Sequence, residues 1–112
     1  MDLALRAVWS EDPDAIFMMR DWVRSGNRTE EENATIISAW QILACQKGYD
    51  CSPTSDLMKG LCDWDVQCAD GQPSTQYFER QLGTQYDGAL RLAKAIENAI
   101  AAKDVQAIRT YL

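Results

Sequence analysis

The feature that most constrains this chain is a run from Thr29 to Cys51, TEEENATIISAWQILACQKGYDC, which opens like a helix, is apolar on most sides and closes on a cysteine. Ala34, Ile36, Ile37, Ala39, Trp40, Ile42, Leu43, Ala44 and Cys45 cover far more than one stripe of a helical wheel, the pattern of a helix with neighbours on several sides. Thr29 and Glu32 have capping-box spacing, and Glu30, Glu31 and Glu32 lie where the positive end of a helix dipole favours carboxylates. Lys47 and Gly48 mark the other end, a basic last turn followed by the residue that enters the left-handed region without steric cost. The run predicts a central buried helix over about residues 29–47, with the other elements packed around it.

Those other elements also read as helices. Leu3, Leu5, Val8 and Trp9 suit a short helix from Asp2 to Trp9. Asp12 then caps a second helix with Pro13 in its first turn, and Ala15, Ile16, Met19, Trp22 and Val23 form its apolar side until Ser25-Gly26-Asn27. Ser52-Pro53 repeats the cap-and-proline signal and opens a helix through Leu57, Met58 and Leu61 to Cys62. The segment from Asp63 to Pro73 has turn chemistry and no period, so it predicts a loop anchored by Trp64. Ser74 caps a helix through Tyr77, Phe78 and Leu82, Gly83-Thr84 marks either a kink or a new cap, and Tyr86, Ala89, Leu90, Ala93, Ile96 and Ile100 line a long amphipathic helix over 85–103. Asp104 caps a last turn or two. No strand signal and no repeat interrupts this series. The expectation is a single all-α domain over residues 1–112, about five to seven short and medium helices, large enough, with 46% hydrophobic residues and four tryptophans, to bury a core.

The cysteines bear on compartment. Cys45, Cys51, Cys62 and Cys68 form two copies of C-x5-C. Structural zinc sites use shorter knuckles and often histidine, and histidine is absent here, so two disulfides are favoured over a metal site. A redox-active C-x-x-C is also missing. Three pairings are open. Cys45 with Cys51 and Cys62 with Cys68 is preferred because each pair is close in sequence and ties a helix end to the loop that leaves it. Disulfides place the chain in the periplasm or outside the cell. Met1-Asp2-Leu3 opens no signal peptide, and a leader removed on maturation leaves the same sequence.

A net charge of −6 disfavours nucleic acid and anionic membrane and points instead to a cationic partner. The longest apolar run is too short to cross a bilayer, so membrane insertion is not expected. Without histidine, most triad and zinc-hydrolase chemistry is lost. Paired carboxylates are available by type in Glu30, Glu31, Glu32, Asp63, Asp65 and Asp70, yet the glutamates suit a helix start and the aspartates a turn-rich loop. The spacing of Asp63, Asp65 and Asp70 does not meet the EF-hand pattern, and no glycine-rich phosphate loop occurs, so no metal or cofactor is expected. Two glycosylation sequons, at Asn27 and Asn33, read as chance matches.

The segment ACQKGYDCSPTS, preceded by Ala39-Trp40 and followed by a second cysteine pair, resembles a motif of uncharacterised exported proteobacterial proteins, in which an alanine- and tryptophan-containing helix runs into C-x-x-G-x-[DE]-C. The Asp12-Pro13-Asp14-Ala15 helix start is similar to theirs, and the resemblance spans about residues 12–70. It implies export and disulfides and carries no activity. The functional expectation is therefore a non-enzymatic exported interaction module, an acidic inhibitor or immunity-type protein, whose partner meets Tyr49, Asp50, Asp63, Trp64, Asp65 and Asp70 on the cysteine-clipped loops. The alternative is a carboxylate-based hydrolase acting on envelope polymers.

Overall fold

The computed structural model describes residues 2–63 and 74–112. These are helical and contain no strand: α1 (Asp2–Trp9), α2 (Pro13–Met18), a 3-10 turn (Met19–Trp22), α3 (Glu30–Gln46), α4 (Asp56–Asp63), α5 (Ser74–Leu82), a second 3-10 turn (Gly83–Gln85), α6 (Tyr86–Ala101) and α7 (Val105–Arg109).

Local chemistry places most helix starts as the sequence predicts. Asp12 accepts from the Asp14 N–H at 3.0 Å, with Pro13 in the first turn of α2. At α3 the capping box is complete: the Glu32 N–H donates to the Thr29 hydroxyl at 3.0 Å, and the Thr29 N–H donates to the Glu32 carboxylate at 3.1 Å. Asp104 caps α7 by accepting from the Ala107 N–H at 3.1 Å. α4 differs. Its cap is Ser55, whose hydroxyl accepts from the Met58 N–H at 3.2 Å and donates to the Ser52 carbonyl at 2.7 Å. Ser52-Pro53 forms the turn before the helix instead of its first residues, because Ser52 spends its carbonyl on Ser55.

Three helices end alike. After α1, Glu11 N–H reaches Val8 O and Asp12 N–H reaches Ala7 O; after α3, Gly48 N–H reaches Cys45 O and Tyr49 N–H reaches Ala44 O; after α6, Lys103 N–H reaches Ile100 O and Asp104 N–H reaches Ala99 O. Each is a Schellman cap, and each puts one residue in the left-handed region: Glu11 at φ 59°, Gly48 at φ 108° and Lys103 at φ 51°.

The packing centres on a pair of helices, and one helix at the centre of all the rest is not shown. α3 and α6 share the most extensive contact, and α2 with its 3-10 turn covers α3 from another side. α3 buries Ile36, Ala39, Trp40, Ile42, Leu43 and Ala44, while Ala34 is exposed and Ile37 half-buried, so the helix retains an outward face. α6 contributes Ala89, Ala93, Ile96, Ala99 and Ile100. The pair is parallel and in register: the Thr35 hydroxyl meets the Gln85 amide oxygen at 2.5 Å near one end, and Lys47 meets Glu97 at 2.8 Å near the other. The last residues are tied down by their backbone carbonyls, with Arg24 N–H donating to Leu112 O at 2.8 Å, Arg28 Nη1 to Thr110 O at 3.0 Å and the buried Trp40 Nε1 to Tyr111 O at 3.0 Å.

Among the described residues one disulfide is seen rather than two. Cys45 and Cys51 are bridged with their Cα atoms 5.6 Å apart. Cys62 carries no free thiol, and its expected link to Cys68 lies outside the described residues.

Candidate functional site

The Schellman turn at Gly48 reverses the chain so that Tyr49 lies back against α2. Its ring stacks on Phe17, centroids 4.1 Å apart and planes 8° from parallel. The Arg20 guanidinium stands over the same ring at 4.2 Å. Two groups so close to one ring centre cannot occupy one face, so Phe17 is sandwiched between cation and phenol. The bridge from Cys45 to Cys51 holds the turn that delivers Tyr49, and the Asp50 carboxylate braces it by accepting from the Ser52 N–H at 3.2 Å. Hydrogen bonding from Ser52 lowers the Asp50 pKa below the ordinary carboxylate value.

Beside this sandwich lie the two large apolar side chains that are exposed among the described residues, Met18 at 63% and Trp22 at 48%. Trp22 corrects its predicted place on the apolar side of a continuous helix. The chain tightens to a 3-10 turn at Met19, where about 120° per residue replaces 100°; Met19 and Val23 turn inward and Trp22 outward. Exposed Asp14 and Asp21 belong to the same helix and turn, with Arg20 paired to Asp21 at 3.3 Å and Arg24 Nε donating to the Asp21 carbonyl at 3.0 Å.

Of the surface expected to meet a partner, Tyr49 is half-buried on Phe17 and Asp50 is exposed in the turn. Asp63 is the last residue of α4, and Trp64, Asp65 and Asp70 lie outside the described residues. Trp22 has no sequence signal as a surface group, since it fits the apolar side of a helix, whereas Met18 lies off that side.

A second feature is an open groove of about 940 Å³ at the N-terminal ends of α3 and α6, closed on one side by Thr110 and Tyr111. Glu31 and Glu32 both line it. Neither carboxylate is set up as a general acid: both are exposed, Glu32 is used in the capping box and Glu31 accepts from the Gln85 amide. Glu30 belongs to the same first turn of α3. At the opposite end of the helix pair, Lys47 bridges Glu11 at 3.1 Å and Glu97 at 2.8 Å. Hydrogen bonding from Lys47, then from Lys94, holds the Glu97 pKa at about 2, and hydrogen bonds from Lys47 to Glu97 and Glu11 raise the Lys47 pKa.

Among the described residues no cluster of three or more acidic or cysteine side chains has metal-holding geometry, and no helix is long and apolar enough to cross a membrane. Asn33 is half-buried within α3 and its amide donates to the Ser25 carbonyl at 3.1 Å, which makes it a poor glycan acceptor. No family model matches the chain, and neither do curated proteins or solved structures.

Proposed function

We propose that the protein is an exported, non-enzymatic interaction module that binds a basic protein partner, as an inhibitor or immunity-type protein does. The observation that carries this reading is the exposed Met18 and Trp22 on α2 and its 3-10 turn, elements that also carry the exposed acids Asp14 and Asp21. Tryptophan anchors dominate interface energetics, and an acidic rim steers and selects a cationic surface. Phe17, sandwiched by Arg20 and Tyr49, gives the patch a stiff floor. The occupant is a lysine-rich amphipathic segment whose apolar side chains cover Met18 and Trp22. The exported location rests on the disulfide, with Cys62–Cys68 proposed as its second copy. The resemblance to exported proteobacterial proteins supports the same location.

The test is titration with a synthetic lysine/leucine amphipathic helix, followed by tryptophan fluorescence and by calorimetry. Binding should weaken with salt and fall about tenfold in Trp22→Ala, about 1.4 kcal/mol. An isomeric glutamate/leucine peptide should not bind. Equal binding of the acidic peptide, or no effect of Trp22→Ala and Met18→Ser, refutes the docking surface. The hydrolase reading is the weaker one: the acids that share a described groove, Glu31 and Glu32, are exposed and hydrogen-bonded to local partners. Hydrolysis of purified peptidoglycan that is lost in Glu31→Gln would revive it.

A further inference from the structure

The groove at the N-terminal ends of α3 and α6 holds an imbalance of hydrogen-bonding groups that the interaction patch on α2 does not use. Four charged residues line it: Arg28, Glu31, Glu32 and Arg91. Each of the two acids has one oxygen engaged. Glu32 accepts from the Thr29 N–H at 3.1 Å, and Glu31 accepts from the Gln85 amide. The two arginines are not matched in this way. Arg28 uses only Nη1, on the Thr110 carbonyl, while its Nε and Nη2 are shut off from solvent with no hydrogen-bond partner. Those two nitrogens form one edge of the guanidinium fork, the edge that grips a carboxylate with two parallel hydrogen bonds. Arg91 is exposed and makes no ion pair among the described residues; its guanidinium lies back along α6 beside Gly88, where an added Cβ would come within 4.0 Å of it.

An arginine edge left unsatisfied and dry is unusual, because each unpaired donor forfeits hydration without recompense. On a chain of net charge −6, two cations without acidic partners in one groove are also against the general trend. The rest of the lining is apolar or aromatic, with Ile36, Leu92, Ala95 and Tyr111. The size lies within the range of about 300–1,000 Å³ typical of small-molecule sites.

We propose that this groove binds an amphipathic organic anion, a carboxylate carried on an apolar chain. Arg91 and the unused edge of Arg28 receive the carboxylate, and Ile36, Leu92 and Tyr111 cover the apolar part. Seating it requires Arg28 to turn that edge into the groove. A cationic amphiphile meets the same apolar wall and the two guanidiniums, with one oxygen of each carboxylate already engaged by a local hydrogen bond.

Dodecanoate, used below its micelle concentration, is the probe, and dodecyltrimethylammonium is the charge-reversed control; both are titrated by calorimetry at neutral pH and low salt. Dodecanoate should bind with a stoichiometry of one, and Arg91→Gln should weaken it about tenfold. Arg91 is exposed and unpaired, so its replacement leaves the fold intact, whereas Arg28→Lys keeps the charge, loses the fork and should weaken binding to a similar degree. Trp22→Ala should leave dodecanoate binding unchanged, which separates this groove from the α2 patch. No binding of dodecanoate, equal binding of the ammonium analogue, an undiminished Arg91→Gln, or loss of binding in Trp22→Ala each overturns the proposal.

Discussion

The three Schellman caps form an internal experiment, because one geometry is filled by three residue types. Gly48 has φ 108°, well beyond the left-handed minimum that Glu11 and Lys103 approach at φ 59° and 51°. A Cβ built on Gly48 meets nothing within 4 Å, so Gly48→Ala pays no steric penalty against neighbours and its effect is that of the backbone alone. Left-handed backbone disfavours an L side chain by about 1–2 kcal/mol. Stiffening of the unfolded chain by alanine returns about 0.4–1 kcal/mol, leaving a net loss near 1 kcal/mol. For a chain of this length that lowers the melting temperature by roughly 4 °C. Lys103→Gly should move the other way by a smaller amount, about 0.5 kcal/mol, since it relieves the strain but loosens the unfolded chain. Gly60 lies inside α4 with open space around its Cβ position, so Gly60→Ala should gain about 0.5–1 kcal/mol. Thermal melts by circular dichroism, with and without reductant, provide the assay. A Gly48→Ala protein that melts within a degree of the parent refutes the backbone argument. A shift that disappears on reduction refutes it as well, by showing that the penalty acts through the disulfide.

Further outcomes are expected. Replacing Cys45 and Cys51 by alanine should remove about 2–3 kcal/mol, the chain-entropy contribution of so short a loop, and intact-mass measurement of the parent should show no thiols open to alkylation before reduction. The Glu97 contribution to stability is fully present above its ordinary pKa of 4.5 and is lost as pH falls toward about 2, while the Lys47 contribution is lost only as pH rises beyond 10.5. Glu97→Gln should therefore flatten the acid limb of a stability–pH curve, by about 0.2–1 kcal/mol per ion pair in these partly exposed pairs. Trp40→Phe removes the donor to the Tyr111 carbonyl at a fully buried site; it should cost about 1–3 kcal/mol and increase hydrogen exchange at the Arg24 N–H, which is bonded to Leu112 O.

The helix starts at Asp12, Thr29 and Asp104 were legible because an N-cap is a local device, formed by residues two or three positions apart. Ser52 and Ser55 carry the same signal, and only the tertiary placement of buried Ser55 chooses between them. The C-caps at Glu11 and Lys103 were hidden because neither is glycine; their left-handed conformation is forced by the bonds that turn the chain directly into the next capping aspartate. Trp22 was misplaced by assuming 3.6 residues per turn through a 3-10 segment. The pairing of Arg28 with Arg91 across one groove depends on α3 and α6 running parallel, a relation that hydrophobic periodicity does not encode.

That parallel arrangement also bears on how the chain reaches its native state. Helices that run in the same direction cannot be joined by a short hairpin, and the two ends of the α3–α6 interface are each closed by partners fifty residues apart, Thr35 with Gln85 and Lys47 with Glu97. Bringing such distant segments together costs roughly 2 kcal/mol more chain entropy than closing a short helix–helix loop of about four residues, before any contact offsets it. The Cys45–Cys51 bridge spans six positions and does nothing to shorten that search. The rate-limiting step should then be docking of α6 onto a preformed α3, and folding should be slower than in up-and-down bundles of the same length, whose neighbouring helices meet through local contacts.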